Sequence, residues 1–232
     1  MLVLASCSKS FLEISPFSSV SEATLANKNG ANGLLIGAYS LLDGGGETGG
    51  GYGSGWEALV ATDDARKGSE TGVSNMDAFI YDENEPILQD RWKFIYAAVQ
   101  RCNDVLKIVP KITDATDDEK TQFVAEARFL RGIYYLQLAT LWKNVPWIDE
   151  TVSYSEKNYL VSNTSDIYPH IEDDFKFAAD NLTSTKSDVG RGNKWAAKAF
   201  LSETYMFEKK FKDAQPILAD IIANGVTPAG VK

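Results

Sequence analysis

Leu88, Trp92, Ile95, Tyr96, Val99, Cys102, Leu106 and Val109 recur at steps of three and four until Pro110 stops them. A stripe of that length commits the chain to a helix of about 23 residues, roughly 34 Å long. Thr116-Asp117-Asp118-Glu119 then forms a capping box, with the Thr116 side chain placed for the Glu119 backbone N–H and the Glu119 side chain for Thr116. A second long helix is predicted from there, with Phe123, Ala127, Leu130, Tyr134, Leu138 and Leu141 on its buried stripe and a stop at Asn144 and Pro146. Two such helices with a short connection are expected to pack antiparallel, near 88–109 and 117–142.

The rest of the pattern is also helical. Leu34, Leu35, Ala38, Tyr39 and Leu42 mark a short first helix that Asp43 and three glycines end. Ser165 is the expected cap of a helix with Ile167, Ile171, Phe175, Ala178 and Leu182 on one face, and Pro169 falls in its first turn, where a missing N–H costs little. Asn193 precedes a helix through about Phe207. A turn at Glu208-Lys209-Lys210 follows, and Ala214, Ile217, Leu218, Ile221 and Ile222 form the last face before Gly225. No segment alternates at period two for long enough to make a strand, so the expected fold is all-α. Leu201, Tyr205, Phe211, Ala214 and Leu218 have the spacing of a tetratricopeptide repeat, so helical hairpins of that kind are expected beside the long helices.

Residues 43–86 break the helical pattern. Eight of the 18 glycines lie between Gly44 and Gly55, and no sustained periodicity follows before Glu85-Pro86. Loops this long in compact domains usually serve a function or are disordered. Gly51-Tyr52-Gly53-Ser54-Gly55 is neither a dinucleotide fingerprint nor a Walker loop: it lacks a preceding strand, a third spaced glycine and a Gly-Lys-Ser/Thr ending.

Composition narrows the chemistry. Lys and Arg number 23 against 32 Asp and Glu, a net charge of −9, so nucleic acid is not an expected partner. One histidine, His170, and two cysteines, Cys7 and Cys102, are too few for a zinc site of the Cys/His types or for a disulfide framework. No metal and no cofactor is expected.

The N-terminus reads Met1-Leu2-Val3-Leu4-Ala5-Ser6-Cys7, an apolar run ending in two small residues and a cysteine, as at a lipoprotein cleavage site. Residues 1–6 are then the end of a signal peptide whose start lies upstream, since a working signal has roughly 7–15 apolar residues after a basic region. Cys7 would carry the lipid, and Cys102 is left as a small buried side chain.

Five motifs in order bear a family resemblance. Glu126-Ala127-Arg128-Phe129-Leu130-Arg131-Gly132-Ile133-Tyr134-Tyr135, running to Asn144-Val145-Pro146, resembles the signature helix of the SusD/RagB family. Phe11-Leu12-Glu13-Ile14-Ser15-Pro16, Gly37-Ala38-Tyr39, the Trp92, Tyr96, Cys102 and Asn103 set, and Ala196-Ala197-Lys198-Ala199 match the others. Trp142-Lys143-Asn144 departs from the family's usual Tyr-Gly-Asp before Val-Pro. The resemblance covers residues 7–232 and corresponds to the N-terminal half of family members, so the sequence is expected to stop before a C-terminal half. It implies a lipid-anchored, outer-membrane, cell-surface protein that binds oligosaccharide without catalysis and delivers it to a SusC-like TonB-dependent transporter. Membrane contact would be through the anchor only, with the helical repeats supplying much of the transporter contact.

Within the loop, Tyr52, Trp56, Asp63, Asp64, Arg66 and Tyr81 combine flat rings for sugar C–H faces with groups that bond vicinal hydroxyls, and they are the candidate ligand-binding set. Each also has a packing explanation, with Trp56 under the loop and Asp63 and Asp64 capping a short helix. Arg128 and Arg131 could hold an anion, but pairing with a helix-end carboxylate is the simpler reading. Trp92 and Tyr96 belong on the apolar stripe. The runs Asp117-Asp118-Glu119 and Glu172-Asp173-Asp174 suit helix first turns. A glycosidase would need two carboxyls ~5–9.5 Å apart, for instance Asp63 with Asp77 or Asp82, and a Gly-rich loop is a poor platform for holding them. An intracellular tetratricopeptide-type scaffold is the alternative, which an acylated Cys7 would exclude.

Overall fold

The computed structural model describes residues 22–42 and 78–232. These hold seven α-helices and one 3-10 turn, with no strand among them: α1 (Glu22–Leu25), α2 (Lys28–Tyr39), α3 (Pro86–Ile108), the 3-10 turn Val109–Lys111, α4 (Asp117–Trp142), α5 (Tyr168–Asn181), α6 (Lys194–Phe207) and α7 (Phe211–Asn224). Consecutive long helices pack on one another: α3 on α2 and α4, α4 on α5, α5 on α6, and α6 on α7.

Local chemistry sets most boundaries. The Thr116 hydroxyl accepts from the Glu119 N–H at 3.2 Å while the Glu119 carboxylate accepts from the Thr116 N–H at 3.0 Å, so the capping box starts α4 as expected. Asn193 starts α6, accepting from the Ala196 N–H at 2.9 Å, and its amide also donates to the carbonyls of Ser184 and Val226. Pro86 opens α3, where its fixed φ suits the first turn.

Two starts differ from the sequence reading. The helix expected first is α2, which follows the short α1 and begins at Lys28 rather than near Leu34, because Asn27 caps it by accepting from the Gly30 N–H at 2.9 Å. Gly30 and Gly33 gave no apolar rhythm by which to see this turn. A side chain at Gly30 would meet the Leu25 carbonyl oxygen at 2.3 Å, so α1 approaches as closely as only glycine allows. Ser165 does not cap α5. The Asp166 carboxylate accepts from the Tyr168 N–H at 3.1 Å and the helix starts at Tyr168.

The core surrounds α4. From Ala125 to Ala139 nearly every residue of this helix is buried, since α2, α3, α5 and α6 all contact it. The expected stripe was therefore too narrow in the middle and too long at its end, where Leu141 is 42% exposed. Phe129 and Phe200 stand 5.7 Å apart by ring centroid, and Phe175 stacks on Phe200 at 5.6 Å, which joins α4, α5 and α6. Gly132 makes this approach feasible, because a Cβ there would lie 2.8 Å from Phe175 Cε1. Burying such rings is the main favourable contribution to the core.

The last hairpin buries Leu201, Tyr205 and Ala214. Phe211, Leu218 and Ile222, expected on a packed face, are exposed instead, Ile222 by 80%. Among the described residues α7 packs chiefly on α6. Cys102 is fully buried, and burial pushes its thiol pKa up, as expected of a packing residue.

Candidate functional site

Of the residues singled out for function, Cys7, Tyr52, Trp56, Asp63, Asp64 and Arg66, with Asp77 of the glycosidase pair, lie outside the described residues. Tyr81 is described, on the segment that leads into α3. It is 44% exposed, and its neighbours Phe79 and Ile80 are more so, at 60% and 72%. Phe79 adopts φ 56°, in the left-handed region that a bulky side chain rarely takes. The segment then closes in a turn, with Asp82 Oδ1 accepting from the Asn84 N–H at 2.8 Å and the Asp82 carbonyl from the Glu85 N–H at 3.2 Å. Glu85 is buried and Pro86 begins the helix. Three apolar side chains are thus held open to solvent beside a fixed helix start. Sequence reading marked Tyr81 alone; the run Phe79-Ile80-Tyr81 ahead of an Asp turn was the available signal.

Leu42 is the last described residue ahead of residues 43–77. It lines a cleft of about 480 Å³ with Tyr39, Phe129, Ile133, Phe200 and Arg191 among others. Tyr39 and Arg191, the polar side chains that line it, both bond Glu126 behind the wall. The Tyr39 hydroxyl donates to Glu126 Oε2 at 2.9 Å and accepts from the Gly192 N–H at 2.9 Å. Lys186 reaches Glu126 at 2.9 Å and Arg191 reaches it at 3.4 Å. Burial, with the Glu126 charge behind it, raises the Tyr39 pKa, so the hydroxyl stays protonated.

Arg128 and Arg131 do not form an anion site. Arg131 Nε donates to Asp174 Oδ2 at 2.7 Å and Nη2 to Oδ1 at 2.9 Å, while Nη1 reaches Glu150 at 2.6 Å and Asn103 at 3.0 Å. Arg128 Nε donates to the same Asp174 at 2.6 Å. Burial opposes the Arg131 charge, but Asp174 and Glu150 more than offset it and hold its pKa above the usual value. The partner carboxylate is not at a helix end, as expected, but in the second turn of α5. Glu172 on that helix bonds Lys176 and Lys210. The Glu172-Asp173-Asp174 run is therefore half a buried ion network and not only first-turn decoration.

Trp92 and Tyr96 pack against the core as expected. Tyr96 also donates to the Pro146 carbonyl at 2.8 Å, Asn103 donates to the Ile148 carbonyl at 2.9 Å, and Tyr135 accepts from the Ile148 N–H at 2.6 Å. Trp147 lies between them, over Tyr135 at 4.1 Å and stacked on His170 at 4.7 Å. These bonds fix the exit from α4, where Lys143 adopts φ 63°. Among the described residues no group of three or more His, Cys, Asp or Glu is placed to hold a metal, and no helix is long and apolar enough to cross a membrane.

A SusD-like family model, described as starch-binding associating with outer membrane, matches residues 11–206. A SusD-like protein of Bacteroides ovatus is 28% identical over 219 residues, 88% of this chain and 37% of that protein. The structure of a SusD-like carbohydrate binding protein from Bacteroides fragilis superposes with a TM-score of 0.72 at 28% identity, over 87% of this chain and 42% of its own. Surface glycan-binding protein A from Bacteroides thetaiotaomicron, solved in complex with laminarihexaose, has the same fold, with a TM-score of 0.69 at 20% identity over 85% and 43%. The chain spans less than half the length of each of these relatives.

Proposed function

The chain belongs to the SusD-like family, and from that premise we propose that it acts as a non-catalytic, lipid-anchored glycan-binding protein that passes oligosaccharide to a SusC-like TonB-dependent transporter. The observation that carries the reading is the family match across residues 11–206, which takes in both the loop and the α4 core. The exposed run Phe79-Ile80-Tyr81 supports it, since open rings and apolar side chains at a loop end suit the C–H faces of sugars. Tyr52, Trp56, Asp63, Asp64 and Arg66 are proposed as the rest of the ligand set on this side of the site. The paired state of Arg128, Arg131 and Asp174 argues for a structural rather than an acid-base role for the most deeply buried charges.

Binding is tested by electrophoresis of the chain through gels containing laminarin, starch or xylan, with calorimetry against laminarihexaose. Because the chain spans less than half the length of its relatives, it is expected to bind weakly, if at all, on its own, and the micromolar to millimolar range, about −8 to −4 kcal/mol, is expected of a protein of the relatives' full length that carries it. Free migration of that longer protein in every gel, with no heat at millimolar sugar, overturns the reading.

Anchoring is a separate test. Expressed behind an intact export signal, the protein is expected to label with palmitate and to sediment with outer membranes. Cys7→Ala is expected to abolish both, and an unlabelled, soluble wild type would remove the anchor from the proposal.

A further inference from the structure

The connection from α4 to α5 carries a second aromatic surface. Tyr154 and Tyr159 lie with ring centroids 4.8 Å apart and planes tilted by 38°. Tyr154 is 82% exposed, Tyr159 46% and the adjoining Leu160 88%. Rings placed so contribute little to folding, because surface positions of this kind seldom matter to stability.

The turn that carries them is nevertheless tightly held. The Asn158 side chain spans it, accepting from the Ser153 N–H at 2.8 Å and donating to the Thr151 carbonyl at 3.0 Å. The Lys157 N–H closes onto the Tyr154 carbonyl at 3.2 Å, and Lys157 takes φ 56°, a left-handed conformation that costs a non-glycine residue free energy. The base of the connection is fixed in turn by the bonds of Tyr96, Asn103 and Tyr135 to residues 146–148. A braced turn with strained backbone that presents two rings to water has the form of a recognition surface.

We propose that Tyr154 and Tyr159 form a secondary sugar-stacking platform, distinct from the 43–86 loop, that takes a neutral pyranose unit of a longer glycan. The inference rests on the glycan-binding reading given above. The chemistry favours a sugar over other partners. Each ring keeps exposed surface for axial C–H groups, and Ser153 and Ser155, whose hydroxyls bond each other at 2.9 Å, and the turn-bracing Asn158 are neutral groups whose remaining donor and acceptor capacity suits sugar hydroxyls. The charges on the turn, Glu156 and Lys157, cancel, which fits an uncharged ligand. Two rings and one leucine are far too little for a stable protein interface, which buries about 1,200–2,000 Å².

The test uses a protein of the relatives' full length that carries this chain, with laminarihexaose in calorimetry and laminarin, starch and xylan in affinity gels. Tyr154→Ala and Tyr159→Ala are each expected to weaken binding of at least one of these about threefold to tenfold. Tyr154→Phe, which keeps the ring, should retain most of the affinity, and all three variants should melt as wild type does. In nitration by tetranitromethane followed by mass spectrometry, the bound glycan should protect Tyr154 and Tyr159. Wild-type affinity in the Tyr154→Ala/Tyr159→Ala double variant, with both tyrosines nitrated equally with and without glycan, overturns the platform while leaving the glycan-binding reading intact. Absence of all binding by the wild-type form of that longer protein overturns both.

Discussion

Arg131 and Asp174 meet through two parallel hydrogen bonds, Nε to Oδ2 at 2.7 Å and Nη2 to Oδ1 at 2.9 Å, with side chains only 6% and 1% exposed. The pair ties α4 to α5 at the centre of the array, and Arg128 joins it from the same helix. A fork of this kind orients the helices as well as attracting them, and the single Arg128 bond adds to it.

Asp174→Ala is expected to destabilise the chain by about 3–5 kcal/mol, because two guanidinium groups lose their shared partner in a buried setting. Arg131→Lys should also destabilise, as an ammonium cannot reproduce the fork or reach Glu150 and Asn103 together. Urea denaturation checks both. A loss for Asp174→Ala below about 1 kcal/mol, the scale of exposed pairs, would show that the network is solvated.

Leu130 is fully buried on α4, and Leu130→Ala is expected to cost about 2–5 kcal/mol. Gly132→Ala tests the same helix in the opposite sense. Its new methyl would stand 2.8 Å from the buried Phe175 ring, and overpacking of this kind costs about 1–3 kcal/mol. Melting curves that leave either variant at the wild-type midpoint would mean that α4 is not enclosed.

Acid should weaken the α5–α7 region. Glu172 is buried, which by itself raises its pKa, but bonds from Lys176, Lys210 and Glu208 lower it from the ordinary 4.5 to about 2. A carboxyl whose folded pKa lies below its unfolded value lends stability that is complete above the unfolded pKa and is lost as the pH falls through the folded one. The window is therefore pH 4.5 down to about 2. Glu208 shifts upward through burial and its contact with Glu172, and so returns part of the effect. Stability measured by denaturant at pH 5 and at pH 2.5 should differ less in Glu172→Gln than in wild type, by about 1–2 kcal/mol after allowance for solvent screening. Identical pH profiles for the two proteins would sink this assignment.

In a protein of the relatives' full length that carries this chain, Trp56→Ala and Asp64→Ala are expected to weaken glycan binding without lowering the melting temperature by more than about 2–4 °C, the shift that about 1 kcal/mol produces in a domain of roughly 150–250 residues. Tyr81→Ala, on an exposed side chain, should behave likewise. Calorimetry paired with melting curves separates the roles. If a substitution collapses the fold and leaves the residual affinity untouched, that residue belongs to packing.

The long helices were legible because apolar spacing and caps agree: Thr116 and Asn193 sit where their side chains are seen to bond. The start of α2 was not, since Gly30, Ala31 and Gly33 have no bulk with which to mark a face. The Glu172-Asp173-Asp174 run was read as dipole compensation because a sequence displays only neighbours, whereas Asp174 meets Arg128 across 46 positions. The exposure of Phe211 and Ile222 was likewise hidden, as a helix's apolar residues do not say whether another element covers them.

The near-complete enclosure of α4 divides the chain into parts that differ in how freely they can be rewritten. The buried positions from Ala125 to Ala139 meet four neighbouring helices between them, so the segment that makes the chain recognisable is held by packing. Side chains such as Tyr81, Tyr154 and Leu160 stand on braced turns outside that enclosure and can be exchanged at little cost in stability. A library that varies these rim positions over an untouched α4 should therefore yield folded proteins, in which the proposed sugar contacts can be varied one at a time without re-engineering the core.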